Sequence, residues 1–273
     1  MQAERLLSGV NHRDSTTSLR YQAVERVILA MHAHLGETLS LQDMAVIATL
    51  SPYHFNRVFH QITGIPPSQF LYALRLEAAK RLLLTTQLSV TDVCYEVGYN
   101  SLGTFVTRFT QLVGLSPGHL RRLAEHVTPS CLEWSCEHLN TLSHNVPLGS
   151  SLTGRISVPD PFTGQIFVGL FPTSVPQSLP VCCTLLTAPG SYRMAPVPDG
   201  CYYVFAAALA GFKAASTYLL QETVLHGCVG PLVVHGGQVS GHADVMLRSK
   251  CLTDPPILTA LPFLLSQRLT AKA

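Results

Sequence analysis

Charge is what this 273-residue chain has least of: Asp, Glu, Lys and Arg make up 12% of it, against 47% apolar residues. That balance excludes an extended, disordered chain and argues for packed cores. Long apolar runs are missing too. No stretch reaches the roughly eighteen uncharged apolar residues that a membrane helix needs. Residues 1–18 have no apolar signal core and carry Glu4, Arg13 and Asp14, so a cytoplasmic chain is expected. Catalytic spacings are absent as well: no Gly-rich phosphate loop, no nucleophile paired with a base, no carboxylate pair in a motif. No enzyme and no cofactor are expected. The eight cysteines are scattered, mostly inside apolar stretches such as Val181-Cys182-Cys183-Thr184. In a cytoplasmic chain they read as small buried hydrophobes. Cys131-x4-Cys136-x-His138 lies off the usual zinc spacings and no second ligand pair stands out, so no metal site is expected. The single tryptophan, Trp134, reads as a packing residue.

What the chain does have is one stretch, 39–122, that contains itself twice. Ser40-Leu41-Gln42-Asp43 returns as Ser89-Val90-Thr91-Asp92, offset by 49 residues. Phe55-x-x-x-Phe59 returns as Phe105-x-x-x-Phe109, and Gly64-Ile65-x-Pro67 as Gly114-Leu115-x-Pro117, both offset by 50. The second copy therefore carries one extra residue, which falls in the turn Gly98-Tyr99-Asn100. Such self-similarity fixes architecture, and two copies are too few for a solenoid. Within the first copy, Ser40 caps a short helical pattern from Leu41 to Ala48. Thr49-Leu50-Ser51 is long enough only for a turn. Ser51-Pro52 then starts a second helix that ends near Thr63, with Gly64 behind it. Helix, short turn, helix is the helix-turn-helix unit. The second copy repeats it over 90–97 and 101–113, and a linker helix from Ser68 to about Leu84 joins the two.

Periodicity sorts the faces of the second helix of each unit. Phe55, Val58, Phe59 and Ile62 share one side; Tyr53, Asn56, Arg57 and His60 share the other. In the second unit Phe105, Phe109 and Leu112 point inward, and Gly103, Val106, Thr107 and Thr110 outward. An outward Arg can pair with guanine, an Asn with adenine, and an apolar group with the thymine methyl in a major groove.

Several motifs resemble the DNA-binding domain of AraC/XylS-type bacterial transcription regulators, over residues of about 20–125. They are Leu50-Ser51-Pro52-x-x-Phe55-x-Arg57-x-Phe59, Thr63-Gly64-x-x-Pro67-x-x-Phe70 and Arg75-Leu76-x-x-Ala79-x-x-Leu82-Leu83. Val97-Gly98-Tyr99-x-Ser101-x-x-x-Phe105-x-x-Arg108-Phe109 and Gly114-x-Ser116-Pro117-x-x-Leu120-Arg121 complete the set. The resemblance implies two helix-turn-helix units on a shared linker helix, with the helices at about 52–63 and 101–113 in successive major grooves of double-stranded DNA. Carried over residue by residue, Tyr53, Asn56 and Arg57 match base-contacting positions of the first recognition helix, and Gly103, Thr104 and Thr107 those of the second. Ser51, His60, Ser101, Leu102 and Arg108 complete the expected DNA-binding set with Arg75. The family often has Arg where this chain has Thr107, so weaker base reading is expected from the second unit. Arg75, Arg81, Arg121 and Arg122, with helix N-termini, are the candidates for phosphates.

Net charge is only +2 over the whole chain, and residues 1–126 hold eleven Lys+Arg against nine Asp+Glu. Modest non-specific affinity for nucleic acid follows. An amphipathic helix from Ser18 to Leu35, apolar at 24, 27, 28 and 31, is expected to pack on the first unit. Past Arg122 the pattern changes. Residues 127–150 read as a linker, and from Leu152 the signals are short strands: 154–158, 165–171, 181–186, 191–197, 201–208, 231–235 and 239–247, with one helix at 214–222. The stretch Gly190-x-Tyr192-x-Met194-x-x-Val197-Pro198-Asp199-Gly200-x-Tyr202-Tyr203-Val204 resembles the strand-turn-strand of carboxypeptidase-regulatory-like, transthyretin-like β-sandwiches. The expected fold class is thus an all-α double helix-turn-helix domain (19–126), a linker (127–150) and an all-β sandwich (151–265) that folds by itself. The sandwich would either sense a small-molecule effector or serve only for homodimerisation or protein interaction.

Overall fold

Apolar positions 24, 27, 28 and 31 build the inward face of the first helix, but that helix starts well before Ser18. In the computed structural model, which describes residues 2–126, 151–209, 225–236, 238–260 and 264, α1 runs Gln2–Ala33. From Thr16 onward its buried residues are Ala23, Val24, Val27, Ile28 and Met31. The expected linker, with Trp134, Cys131, Cys136 and His138, and the helix expected at 214–222 lie outside the described residues.

Six further helices follow among the described residues: α2 (Leu41–Ala48), α3 (Pro52–Thr63), α4 (Pro67–Thr85), α5 (Val90–Glu96), α6 (Leu102–Val113) and α7 (Pro117–His126). Both halves of the repeat open on a reciprocal cap. Ser40 Oγ accepts from the Asp43 amide, and the Asp43 carboxylate accepts from the Ser40 amide, at 3.2 and 2.9 Å. Ser89 and Asp92 repeat this at 3.1 and 3.1 Å. Each box satisfies amide donors that a helix start leaves unpaired. The repeat also holds through the turns. Leu50 N donates to Ala45 O and Tyr99 N to Cys94 O, each at 3.0 Å. Register is therefore kept up to Leu50 and Tyr99, and the extra residue is Asn100.

The helical core holds two aromatic ladders that share the repeated pair Phe55-Phe59 and Phe105-Phe109 and differ in the third ring. Phe55, Phe59 and Phe70 meet edge-on at 5.5 and 5.4 Å. Tyr99, Phe105 and Phe109 follow one another at 5.3 and 5.6 Å. Phe105 and Phe109 are tilted at 56°, and in the other three pairs the partly positive ring edge meets the negative face of its neighbour.

The rest of the described chain is β-rich: β1 (Leu152–Ser157), β2 (Gln165–Phe171), β3 (Cys182–Leu186), β4 (Gly190–Met194), β5 (Gly200–Leu209), β6 (Leu225–His235), β7 (Gln238–Ser240) and β8 (Val245–Met246). They form a three-stranded sheet, β4-β1-β8, and a five-stranded sheet, β3-β2-β5-β6-β7. One apolar cluster draws on both sheets, with Leu152 and Ile156 from β1, Val168 and Leu170 from β2, and Val204 and Ala206 from β5. Two strand expectations are corrected. The strand expected over 239–247 is two: β7 pairs with β6, and after Gly241, at φ +113°, the chain crosses to pair β8 in parallel with β1. The strand expected at 231–235 begins at Leu225, because Gly230-Pro231 sits in a bulge opposite Tyr203 rather than ending the strand. A bulge is one of the few places a strand accepts proline.

The β-rich part also supplies residues to the helical core. Val175, in the β2–β3 loop, and Leu258, Ala260 and Leu264, after β8, belong to the helical core, where each is 5% exposed or less. Lys80 on α4 is 1% exposed, and its Nζ donates to Ile257 O at 2.7 Å. Beside it Lys250 Nζ lies 3.0 Å from Glu77 Oε1. The sequence pattern shows which residues are apolar but not which of two cores they enter.

Candidate nucleic-acid interface

The outward faces of α3 and α6 are open. Tyr53 is 84% exposed, and Asn56, Arg57 and His60 are exposed beside it, while Phe55, Val58 and Phe59 are buried. Ser51 occupies the N-cap of α3, but its hydroxyl makes no capping bond. On α6 the residues Ser101, Leu102, Gly103, Thr104 and Thr107 are all exposed. Ser101 Oγ accepts from the Thr104 amide at 3.4 Å. A side-chain carbon at Gly103 would meet nothing closer than Ser101 Oγ at 3.9 Å, so a surface can approach the backbone closely there.

Arg75, Arg121 and Arg108 are engaged inside the protein. Arg75 donates from Nη1 to Gly98 O at 3.1 Å and from Nη2 to Glu37 O at 2.7 Å. It thereby ties the loop before α2 to the turn of the second unit. Arg121 likewise donates to Leu83 O and Leu88 O at 3.1 and 2.7 Å, fastening α7 to the end of α4. Arg108 is half-buried, and its guanidinium lies 4.6 Å over the Tyr72 ring, a cation–π contact that docks α6 on α4. Arg57 and Arg122 keep exposed positions.

Gly98 explains the position of Arg75. Its φ is +80°, and a Cβ there would lie 2.5 Å from Leu35 O and 2.9 Å from Arg75 Nη2. Only glycine permits both the left-handed turn and the close approach. Between the two units lies a cleft of about 540 Å³ lined by, among others, Ser40, Asn56, Ser68, Tyr72, Arg75 and Asn100. Tyr72, Ser68 and Asn100 were not among the expected site residues. The signal for Asn100 was present in the sequence, since it is the residue by which the copies differ in length. Among the described residues no group of three or more His, Cys, Asp or Glu is placed to hold a metal. No described helix is long and apolar enough to cross a membrane.

Comparison with known proteins places this geometry. A family model described as a helix-turn-helix domain matches residues 44–123. The HTH-type transcriptional activator AarP of Providencia stuartii is 28% identical over 116 residues, 42% of this chain and 85% of that protein. The bifunctional transcriptional activator/DNA repair enzyme AdaA of Bacillus subtilis (strain 168) is 33% identical over 89 residues, 33% of this chain. The chain spans 42% of AdaA and 37% of the regulator YobQ from the same organism, so it is similar to a part of these relatives. The solved DNA-binding domain of AdpA, crystallised with a target DNA, is 30% identical, covering 38% of this chain and 95% of that one with a TM-score of 0.36.

Proposed function

We propose that residues 44–123, which match a helix-turn-helix family model, are an AraC-type DNA-binding domain, and that the whole chain is a sequence-specific transcription regulator that sets α3 and α6 into successive major grooves. The observation that carries this is the pair of open outer faces. Each belongs to a helix whose inner face is an aromatic ladder, and each follows a capped helix and a left-handed turn residue. In this reading the helical part is a double helix-turn-helix domain over 19–126, 127–150 is a linker, and the two sheets over 151–265 are the layers of a β-sandwich. Tyr53, Asn56, Arg57 and His60 meet bases and sugar-phosphate from α3. Gly103, Thr104 and Thr107 do so from α6. Ser51, Ser101 and Leu102 sit at the helix starts, where amides attract phosphate oxygens. Arg75 and Arg108 position the two units. The sandwich is the element to examine for a small-molecule effector or a homodimer, by thermal shift and by light scattering respectively.

The test is selection of genomic fragments by the purified full chain, followed by mobility shifts on the enriched duplexes. Enriched sites should contain two segments about ten base pairs apart, centre to centre. The absence of any retarded species at low salt, where phosphate contacts are strongest, would refute the reading.

A further inference from the structure

The β2–β3 loop touches the C-terminal ends of both α3 and α6. Ser174 Oγ donates to Gly64 O, the C-cap carbonyl of α3, at 3.5 Å. Four residues on, Ser178 N donates to Leu112 O in the last turn of α6 at 2.6 Å. The segment after β8 joins from the other side. Ala260 N donates to Val113 O, the last residue of α6, at 3.1 Å. Leu264 covers the C-cap, where a Cβ on Gly114 would lie 2.5 Å from its Cδ1. The final carbonyls of a helix have no partner within it. Here two of them on α6 are met by backbone amides of the β-rich part.

Loop and tail are one piece. Leu258 N and Thr259 N both donate to Pro176 O, at 3.0 and 3.2 Å, and Thr259 Oγ1 donates to Ser178 O. The piece is anchored at both ends. At its start Asp254 holds Arg248 through two bonds of 2.6 and 2.7 Å and His226 at 3.2 Å. On the helical side Lys80 holds Ile257 O. Ser178 itself sits at φ +58°. A non-glycine residue is kept in that region only where its surroundings over-determine it, and here the surroundings are the α6 carbonyl and the tail. None of this covers the outward faces, which remain exposed.

We propose that the β2–β3 loop and the tail at 257–260, with Leu264, form a brace that fixes the separation of α3 and α6, and so sets the spacing of the two DNA segments the chain reads. Ser174, Val175, Ser178, Ala260 and Leu264 are positioning residues; none has to touch DNA. The proposal rests on the reading of α3 and α6 as the DNA-reading helices. A base pair of offset moves one segment by about 3.4 Å along the axis. A rigid pair of helices therefore loses one set of contacts when the spacer changes, while a loosened pair follows it.

The test uses the full chain and duplexes taken from its own selected sites, with the spacer changed by one and two base pairs either way. The unaltered chain should lose on the order of tenfold in affinity per base pair of error, the scale of one lost base contact. The variant Val175→Ala with Leu264→Ala should bind the optimal spacing more weakly and flatten the profile to within about threefold. Ser178→Gly, which keeps the amide, should preserve the original profile. A folded double variant with an unchanged profile overturns the brace. If the double variant does not fold, hydrogen exchange on the unaltered chain decides. Amides 178 and 260 should be protected as well as those of α6, and their rapid exchange overturns the proposal. Failure of the unaltered chain to bind any duplex would instead refute the DNA-binding reading itself, a distinct result.

Discussion

Lys80 and Gly98 are the residues whose roles are most specific to this structure. Burial lowers the Lys80 ammonium from an ordinary lysine value to about 8; Glu77 acts against that shift and Lys250 with it. In the unfolded chain the value is about 10.4. The unfolded state therefore holds the proton more tightly between those two values, and stability should rise as pH climbs from 8 towards 10.4. The rise is at most about 3 kcal/mol, at 1.36 kcal/mol per pH unit. Lys80→Met should show no such rise, and the difference between the two urea-unfolding series over that window measures it. Parallel curves would mean that Lys80 is not buried in its charged form. Gly98 and its repeat partner Thr49 should respond oppositely to exchange. Gly98→Ala places a Cβ 2.5 Å from a carbonyl oxygen at φ +80° and should cost at least ~2 kcal/mol. Thr49 already sits at φ 58°, a strained position for a β-branched residue. Thr49→Gly should release ~1–2 kcal/mol of strain against ~0.5–1 kcal/mol of added backbone entropy. Thermal melting should therefore show one strong loss and one slight gain.

At the scale of elements, α3 and α6 share a core pattern and differ on their outer faces. Arg57 corresponds to Thr107, Asn56 to Val106, Tyr53 to Gly103 and His60 to Thr110. The first helix offers a two-pronged donor, an amide and an aromatic ring. The second offers a methyl, hydroxyls and bare backbone. A bidentate Arg–guanine contact discriminates by about 1–3 kcal/mol, and a methyl contact by less. Arg57→Ala should therefore flatten one position of the selected site, while Thr107→Ala should leave the site almost unchanged. Binding-site selection with both variants checks this, and equal losses would count against unequal reading. Arg108, resting on Tyr72 at 4.6 Å, should act on all sequences alike when replaced, because it holds α6 on the linker helix.

For the whole molecule, the consequence of the shared core is that the helical part is incomplete alone. A chain ending at residue 126 would uncover the places taken by Val175, Leu258, Ala260 and Leu264, which are 1, 2, 0 and 5% exposed in the full chain. Each larger side chain contributes up to about 1.5–3 kcal/mol on burial. The helical signal of the truncated chain should therefore melt at a lower temperature than the same signal in the full chain. It should also bind an apolar dye. Coincident melting of the two would show that the β-rich part adds no stability to the helices.

The repeat, the caps and the alternation of buried and outward positions on α3 and α6 were legible in the sequence, because each is a short-range pattern. A serine three residues before an aspartate, a proline after a serine, or phenylalanines one turn apart need no partner from elsewhere in the chain. The strand signals of the β-rich part were legible for the same reason, though Pro231 hid the bulge that lets β6 continue. Charge alone did not reveal which arginines were free. The bonds of Arg75 and Arg121 to the carbonyls of Glu37, Gly98, Leu83 and Leu88 had no local signature. Nor did apolar character say that Leu258 and Leu264 enter the helical core, since burial is non-directional and any apolar face can cover them. The sequence by itself determined the local elements and the outward faces of α3 and α6. Tertiary structure alone decided which cations became braces and which core the tail completes, because those outcomes depend on contacts between residues up to 177 positions apart.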